Sequence, residues 1–242
     1  MSGCGSWSGL RARAEQLETP LIVHLELTSA CPWACVFCSA VPTPHQKALD
    51  ASEWISVLDD LRELGALQVV FTGGEPLASP DFFEVARAAR ARRFAIRVFS
   101  NLALIDRNSA AAIAELRPLA VEASLHGATA ATHDSTTQRI GSFDQFWTGV
   151  EQLQRHGVRL VLKTPVTRLN EDEIDDLIDL ARQRGVPLRL DLALSPRGED
   201  GRIPEDLEAS EPTQRRILTR MLSLDRLPAA NHAGTSRSCG CR

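Results

Sequence analysis

From Leu21 onward, short apolar runs alternate with longer segments in which apolar residues recur at helical spacing. Strands are expected at Leu21–Leu27, Leu67–Phe71, Ala95–Ser100, Leu119–Leu125, Arg159–Val166 and Pro187–Leu194. Between them, Trp54, Leu58 and Leu61 mark a helix over Ala51–Leu64, and Pro80–Arg92 and Asn108–Leu116 read as two more. Phe143, Phe146, Val150 and Leu153 predict a helix over Ser142–His156 with Ser142 as N-cap. Asn170 is expected to cap a helix whose acidic first turn, Glu171 to Glu173, complements the helix dipole and which runs to Arg184 before Gly185. Thr213–Leu222 is the last predicted helix, after a loop from Ser195 to Pro212.

Regular alternation of strand and helix predicts a parallel sheet. Six units of about 30 residues fit the span, whereas a complete eight-fold barrel takes about 250 residues by itself. The expected class is therefore α/β, a partial (β/α)6 TIM-like barrel with an open parallel sheet and outer helices. Residues 1–20, with a short polar helix candidate at Leu10–Leu17, read as a loosely ordered lead-in, 21–222 as the barrel, and 223–242 as a tail without periodic pattern.

Composition narrows the function classes. The 242 residues carry a formal net charge of -4, which offers no basic patch for nucleic acid. No apolar run is long enough to span a bilayer and no signal-peptide core is visible, so a cytoplasmic protein is expected. A reducing compartment keeps thiols free for metal ligation. Positive charge is carried almost wholly by Arg, with Lys47 and Lys163 the only lysines.

Three of the 6 cysteines, Cys31, Cys35 and Cys38, stand on the loop after the first strand in a C-x3-C-x2-C spacing. Such short spacings let three thiols converge on one metal centre. Iron–sulfur clusters usually take four thiolates, so three leave one iron of a [4Fe-4S] cluster without a protein ligand. A zinc site is the alternative, and needs His24 or His45 as fourth ligand.

A C-x3-C-x-aromatic-C loop after a first strand resembles the signature of the radical S-adenosylmethionine (radical SAM) enzymes. The resemblance implies a [4Fe-4S] cluster on Cys31, Cys35 and Cys38, with S-adenosylmethionine bound at the open iron and Phe37 at the position that contacts its adenine. Gly73, Gly74, Glu75 and Pro76 match the family's glycine-rich motif for the methionine amino group, and Ser124 resembles the serine placed near the methionine carboxylate or the ribose. Asn101 is a further candidate for cofactor contact. In parallel βα barrels the active site forms at the C-terminal strand edges, where all these residues fall. His126 lies in a Ser-Leu-His-Gly turn and reads as a possible surface residue.

Lys163 sits in an otherwise apolar strand, where an ammonium needs an anion. A cofactor carboxylate, a substrate acid or Asp191 on the next strand would each serve. No residue is assigned as general base.

The resemblance is to the SPASM/Twitch-type branch, with Cys239 and Cys241 where an auxiliary-cluster region would begin; two cysteines cannot fill such a site, even with Cys4 added. The expected activity is reductive cleavage of S-adenosylmethionine and hydrogen abstraction from a ribosomal peptide, fed by an external one-electron donor such as a flavodoxin or ferredoxin. A small metabolite or nucleotide substrate, or a non-catalytic iron–sulfur scaffold, are the alternatives.

Overall fold

The alternating pattern folds as expected. In the computed structural model, which describes residues 7–38, 49–194 and 206–225, six parallel strands pair in sequence order. These are β1 (Ile22–Glu26), β2 (Gln68–Thr72), β3 (Ala95–Ser100), β4 (Ala120–Ser124), β5 (Leu160–Pro165) and β6 (Leu188–Asp191). The helices are α1 (Trp7–Gln16), α2 (Ala51–Glu63), α3 (Phe82–Ala91), α4 (Arg107–Leu116), α5 (Ala130–Thr137), α6 (Ser142–Arg155), α7 (Ile174–Gln183) and α8 (Glu211–Asp225). Right-handed crossovers between sequential neighbours bring the helices to one face, so the sheet curls into an open partial barrel. No helix among the described residues is long and apolar enough to cross a membrane.

Each strand shows its two sides. Val69, Phe71, Ile96, Val98, Val121, Ala123 and Leu162 are buried in the core that also holds Phe82, Val85, Ile113, Phe146, Leu153 and Leu177 from the helices. Residues between them, such as Arg97, Phe99, Glu122 and Lys163, fall on the opposite, concave face, because strand side chains alternate.

Four local expectations are corrected. The stretch before Ser142 holds an unforeseen helix, α5, whose N-cap Thr129 accepts from the Thr132 N–H at 3.3 Å. Ser142 is not an N-cap but the first helical residue of α6, after Gly141. Asp134 of α5 caps α6 across the turn, accepting from the backbone of Gly141 (2.7 Å) and Phe143 (2.9 Å) and from the Ser142 hydroxyl (2.8 Å). Asn170 makes no cap bond either: buried, it accepts from the Thr167 N–H and donates to the carbonyls of His126 and Pro165. Finally, α8 starts at Glu211, two residues ahead of Thr213, because a proline in a first turn (Pro212) costs no backbone hydrogen bond.

Candidate functional site

The cysteine loop and the Gly-Gly-Glu-Pro loop are one assembly. Gly74 N–H donates to the Thr28 carbonyl at 2.7 Å and Glu75 N–H to the Ala30 carbonyl at 2.8 Å. A Cβ at Gly73 would lie 2.4 Å from the Thr28 oxygen, and one at Gly74 would lie 2.4 Å from the Ala30 oxygen. Gly73 also sits at φ +122, where side chains are disfavoured. The paired glycines thus let the cysteine-bearing backbone, rather than only a ligand, come close. On its far side that backbone is fastened to the end of α5, with Ala34 N–H donating to the Thr137 carbonyl and Val36 N–H to the Thr136 carbonyl, both at 3.0 Å.

Glu75 is turned inward. Its carboxylate accepts from the Ser100 hydroxyl (2.9 Å), the Asn101 N–H (2.7 Å) and the Leu77 N–H (3.2 Å), so it ties β2 to β3 instead of standing free for an ammonium. Burial outweighs these donors and pushes its pKa up to about 7. Pro76 follows, buried, as the start of a short 3-10 turn. Asn101 continues the chain of contacts: its Oδ1 accepts from the Ala103 N–H, which turns the amide so that Nδ2 donates to Cys31 Sγ at 3.3 Å.

Behind Cys35 lies an aromatic wall. His126 is buried, correcting its reading as a surface residue, and its Nε2 is 3.9 Å from Cys35 Sγ. Phe37 and His126 meet edge to face at 5.2 Å between centroids, and the His126 and His133 rings lie 5.4 Å apart. Burial lowers the His126 pKa to about 3, so the imidazole is neutral. It raises the Cys35 thiol to about 12, with added repulsion from Cys38 and Cys31.

That donor set fits a multi-iron cluster. Thiols raised by burial, as Cys31 and Cys35 are, deprotonate against a strongly cationic centre. Among the described residues no three His, Cys, Asp or Glu side chains gather closely enough to hold a single metal ion. His24 packs against Phe99 on the concave face, at 5.5 Å between centroids, which leaves the zinc alternative without support there. His45, Cys4, Cys239 and Cys241 lie outside the described residues.

Ser124, at the tip of β4, is half-buried, pairs in register with Lys163 of β5, and its hydroxyl has no partner among the described residues. Asp191 is not the anion of Lys163; its Oδ1 accepts from the Ala193 N–H. The Lys163 ammonium lies 3.7 Å from Glu122 Oε2 and 4.3 Å from the centre of the Phe99 ring. Sequence reasoning missed Glu122 and the role of His126, although a lone carboxylate in the apolar run Ala120–Ser124 was a visible signal.

An open parallel barrel with three thiols at its C-terminal edge, seated on a glycine loop, defines a cluster-bearing α/β enzyme core. The chain belongs to the radical SAM superfamily, whose family model matches residues 25–181 and whose members use a [4Fe-4S] cluster and S-adenosylmethionine. It is 30% identical over 203 residues to the mycofactocin maturase MftC of Mycolicibacterium smegmatis, covering 83% of this chain and 51% of that one. Identity to the PqqA peptide cyclase of Ruegeria pomeroyi is 31% over 193 residues, 77% of this chain and 50% of the other. Streptococcus suis SuiB, solved bound to S-adenosylmethionine, superposes with a TM-score of 0.71 at 17% identity, covering 88% of this chain and 49% of that one. The chain thus spans about half the length of these relatives.

Proposed function

We propose that this chain is the catalytic core of a radical SAM enzyme that modifies a peptide. The observation that carries the reading is the three-thiol loop locked to the Gly73–Gly74 backbone at the barrel edge, on a chain related to a peptide cyclase. When bound, cluster and cofactor supply reductive carbon–sulfur cleavage and a 5′-deoxyadenosyl radical that abstracts hydrogen. Cys31, Cys35 and Cys38 hold the cluster, and Asn101 orients the Cys31 sulfur. Phe37 lies beside the adenine position. The backbone of Gly73 and Gly74 receives the methionine amino group, while Glu75 and Pro76 shape that loop from below. Ser124 offers its unpartnered hydroxyl to the methionine carboxylate or the ribose. An external flavodoxin or ferredoxin supplies the electron.

Anaerobic reconstitution is expected to give about four irons per chain, and reduction with a precursor peptide to give 5′-deoxyadenosine and a peptide of altered mass. Cys35→Ala retaining this activity overturns the reading. A second reading, a small-molecule substrate, draws on the AdoMet-dependent heme synthase of Methanosarcina barkeri, 29% identical over 206 residues. Turnover of a free metabolite with every peptide left unchanged would establish it instead.

A further inference from the structure

The concave face carries more positive charge than its own acid can use. Three cations from three strands, Arg97 (β3), Lys163 (β5) and Arg189 (β6), converge on Glu122 of β4. Arg97 Nη1 hydrogen-bonds Glu122 Oε1, whereas Lys163 Nζ and Arg189 Nη1 each stop 3.7 Å from Oε2. The Glu122 side chain is 2% exposed, yet its Oε2 accepts no hydrogen bond among the described residues. The other acids of this face do not make up the difference. Asp191 is engaged with the Ala193 N–H, and Glu26, on β1, has no ion pair among the described residues. β1 is three strands from β4, about 14 Å away at the usual strand spacing.

Neutralising one carboxylate takes one cation, and Arg97 already does so with a hydrogen bond. Two positive charges remain. Neither Lys163 nor Arg189 donates a hydrogen bond among the described residues, and their side chains are 28% and 64% exposed. Lys163, largely withdrawn from water with idle donors, is costly to keep without an anion, while the more exposed Arg189 beside it stays open to a ligand. Both are shaped for a carboxylate, Arg189 through its planar fork and Lys163 as a point charge. Phe99 screens the ammonium from water on one side, which strengthens any anion contact. Lys163 is in register with both Ser124 and Arg189, so the pair stands at the strand edge where the chemistry gathers.

We propose that Lys163 and Arg189 form a subsite for a carboxylate of the substrate, so that the peptide presents an acidic group to this face. The proposal rests on the peptide reading above and names the substrate class it implies. Binding of two blocked tripeptides, acetyl-Gly-Glu-Gly-amide and acetyl-Gly-Gln-Gly-amide, is measured by calorimetry on the reconstituted protein loaded with S-adenosylmethionine. The Glu peptide is expected to bind at least tenfold more tightly. Lys163→Gln and the more exposed Arg189→Gln should each bring that preference below twofold, with Arg189→Gln keeping its affinity for S-adenosylmethionine.

Equal or absent binding of the two peptides by the unaltered protein overturns the proposal, as does a preference that survives both substitutions. If Arg189→Gln weakens S-adenosylmethionine instead, the anion is the cofactor's, and the proposal also fails. Competition by inorganic phosphate but by neither peptide would assign the cations to a phosphorylated ligand and overturn it too. Product from a precursor peptide, assayed separately, shows whether the parent reading still stands.

Discussion

The two halves of the sheet are built to different standards. Around β1–β3 the polar groups of the loops that follow β2 and β3 are paired: Glu75 takes three donors, Asn101 uses both ends of its amide, and two glycines admit a second backbone at contact distance. Around β4–β6 Thr164 and Asp191 are bonded, but three donors are left in reserve, with Ser124, Lys163 and Arg189 lacking hydrogen-bond partners for their side chains among the described residues. The first half resembles a finished socket, fixed before anything binds. The second holds its donors open, and the difference teaches that one region of the sheet is braced in advance while the other keeps hydrogen-bonding capacity for what it meets.

The comparison breaks most visibly at Gly74. Its Cβ would meet backbone oxygens at 2.4 and 2.6 Å, which no rotamer change relieves. Gly74→Ala should destabilise the protein by about 3 kcal/mol or more and abolish cluster uptake. Thermal unfolding and iron content check this; an alanine variant with full iron content would show the two loops to be separable.

Acid–base behaviour gives an effect of similar size. Burial raises Glu75 from its ordinary 4.5 to about 7, so the native state keeps this proton after the unfolded chain has lost it. The metal-free protein should therefore lose stability as pH rises from 4.5 to 7, by roughly 3 kcal/mol from this group. Glu75→Gln should flatten that part of the profile. Denaturant unfolding at each pH would detect a slope of the opposite sign.

In the open half, Glu122→Gln removes the anion among three cations while keeping a hydrogen-bond acceptor for Arg97. A loss of about 2 kcal/mol is expected, below that of a fully buried pair because the cations are part-exposed. An unchanged unfolding midpoint would show that the acid does not gather them. The smallest effect belongs to Asn101→Ala. Losing one donor to Cys31 Sγ should shift the cluster to a more negative reduction potential, read by a potentiometric titration followed by electron paramagnetic resonance, with stability changed by about 1 kcal/mol.

Much of this architecture was legible beforehand. All six strands and most helices follow from periodicity, because a parallel sheet buries near-continuous apolar runs and its helices show one apolar face. The helix α5 was not legible, since Ala130–Thr137 has no apolar stripe; its buried residues include Thr136, Thr137 and His133, polar side chains held by specific neighbours, Thr136 by the Thr132 carbonyl and Thr137 and His133 Nδ1 by the Ser142 hydroxyl. Ser142 and Asn170 were misjudged for a related reason. Each looked like a local cap, but Asp134 and His126, distant in the chain or on another element, decide where those side chains bond.

The order of residues alone determined the strand count, the α/β class and the placement of three thiols after the first strand, because these depend on short-range pattern and spacing. Only the folded chain decided that Glu75 braces the socket instead of facing a ligand, that His126 stands behind Cys35, and that Glu122 collects three cations. Those relationships join residues tens of positions apart, across strands whose register is set by the packing of the whole sheet, and no local period encodes them.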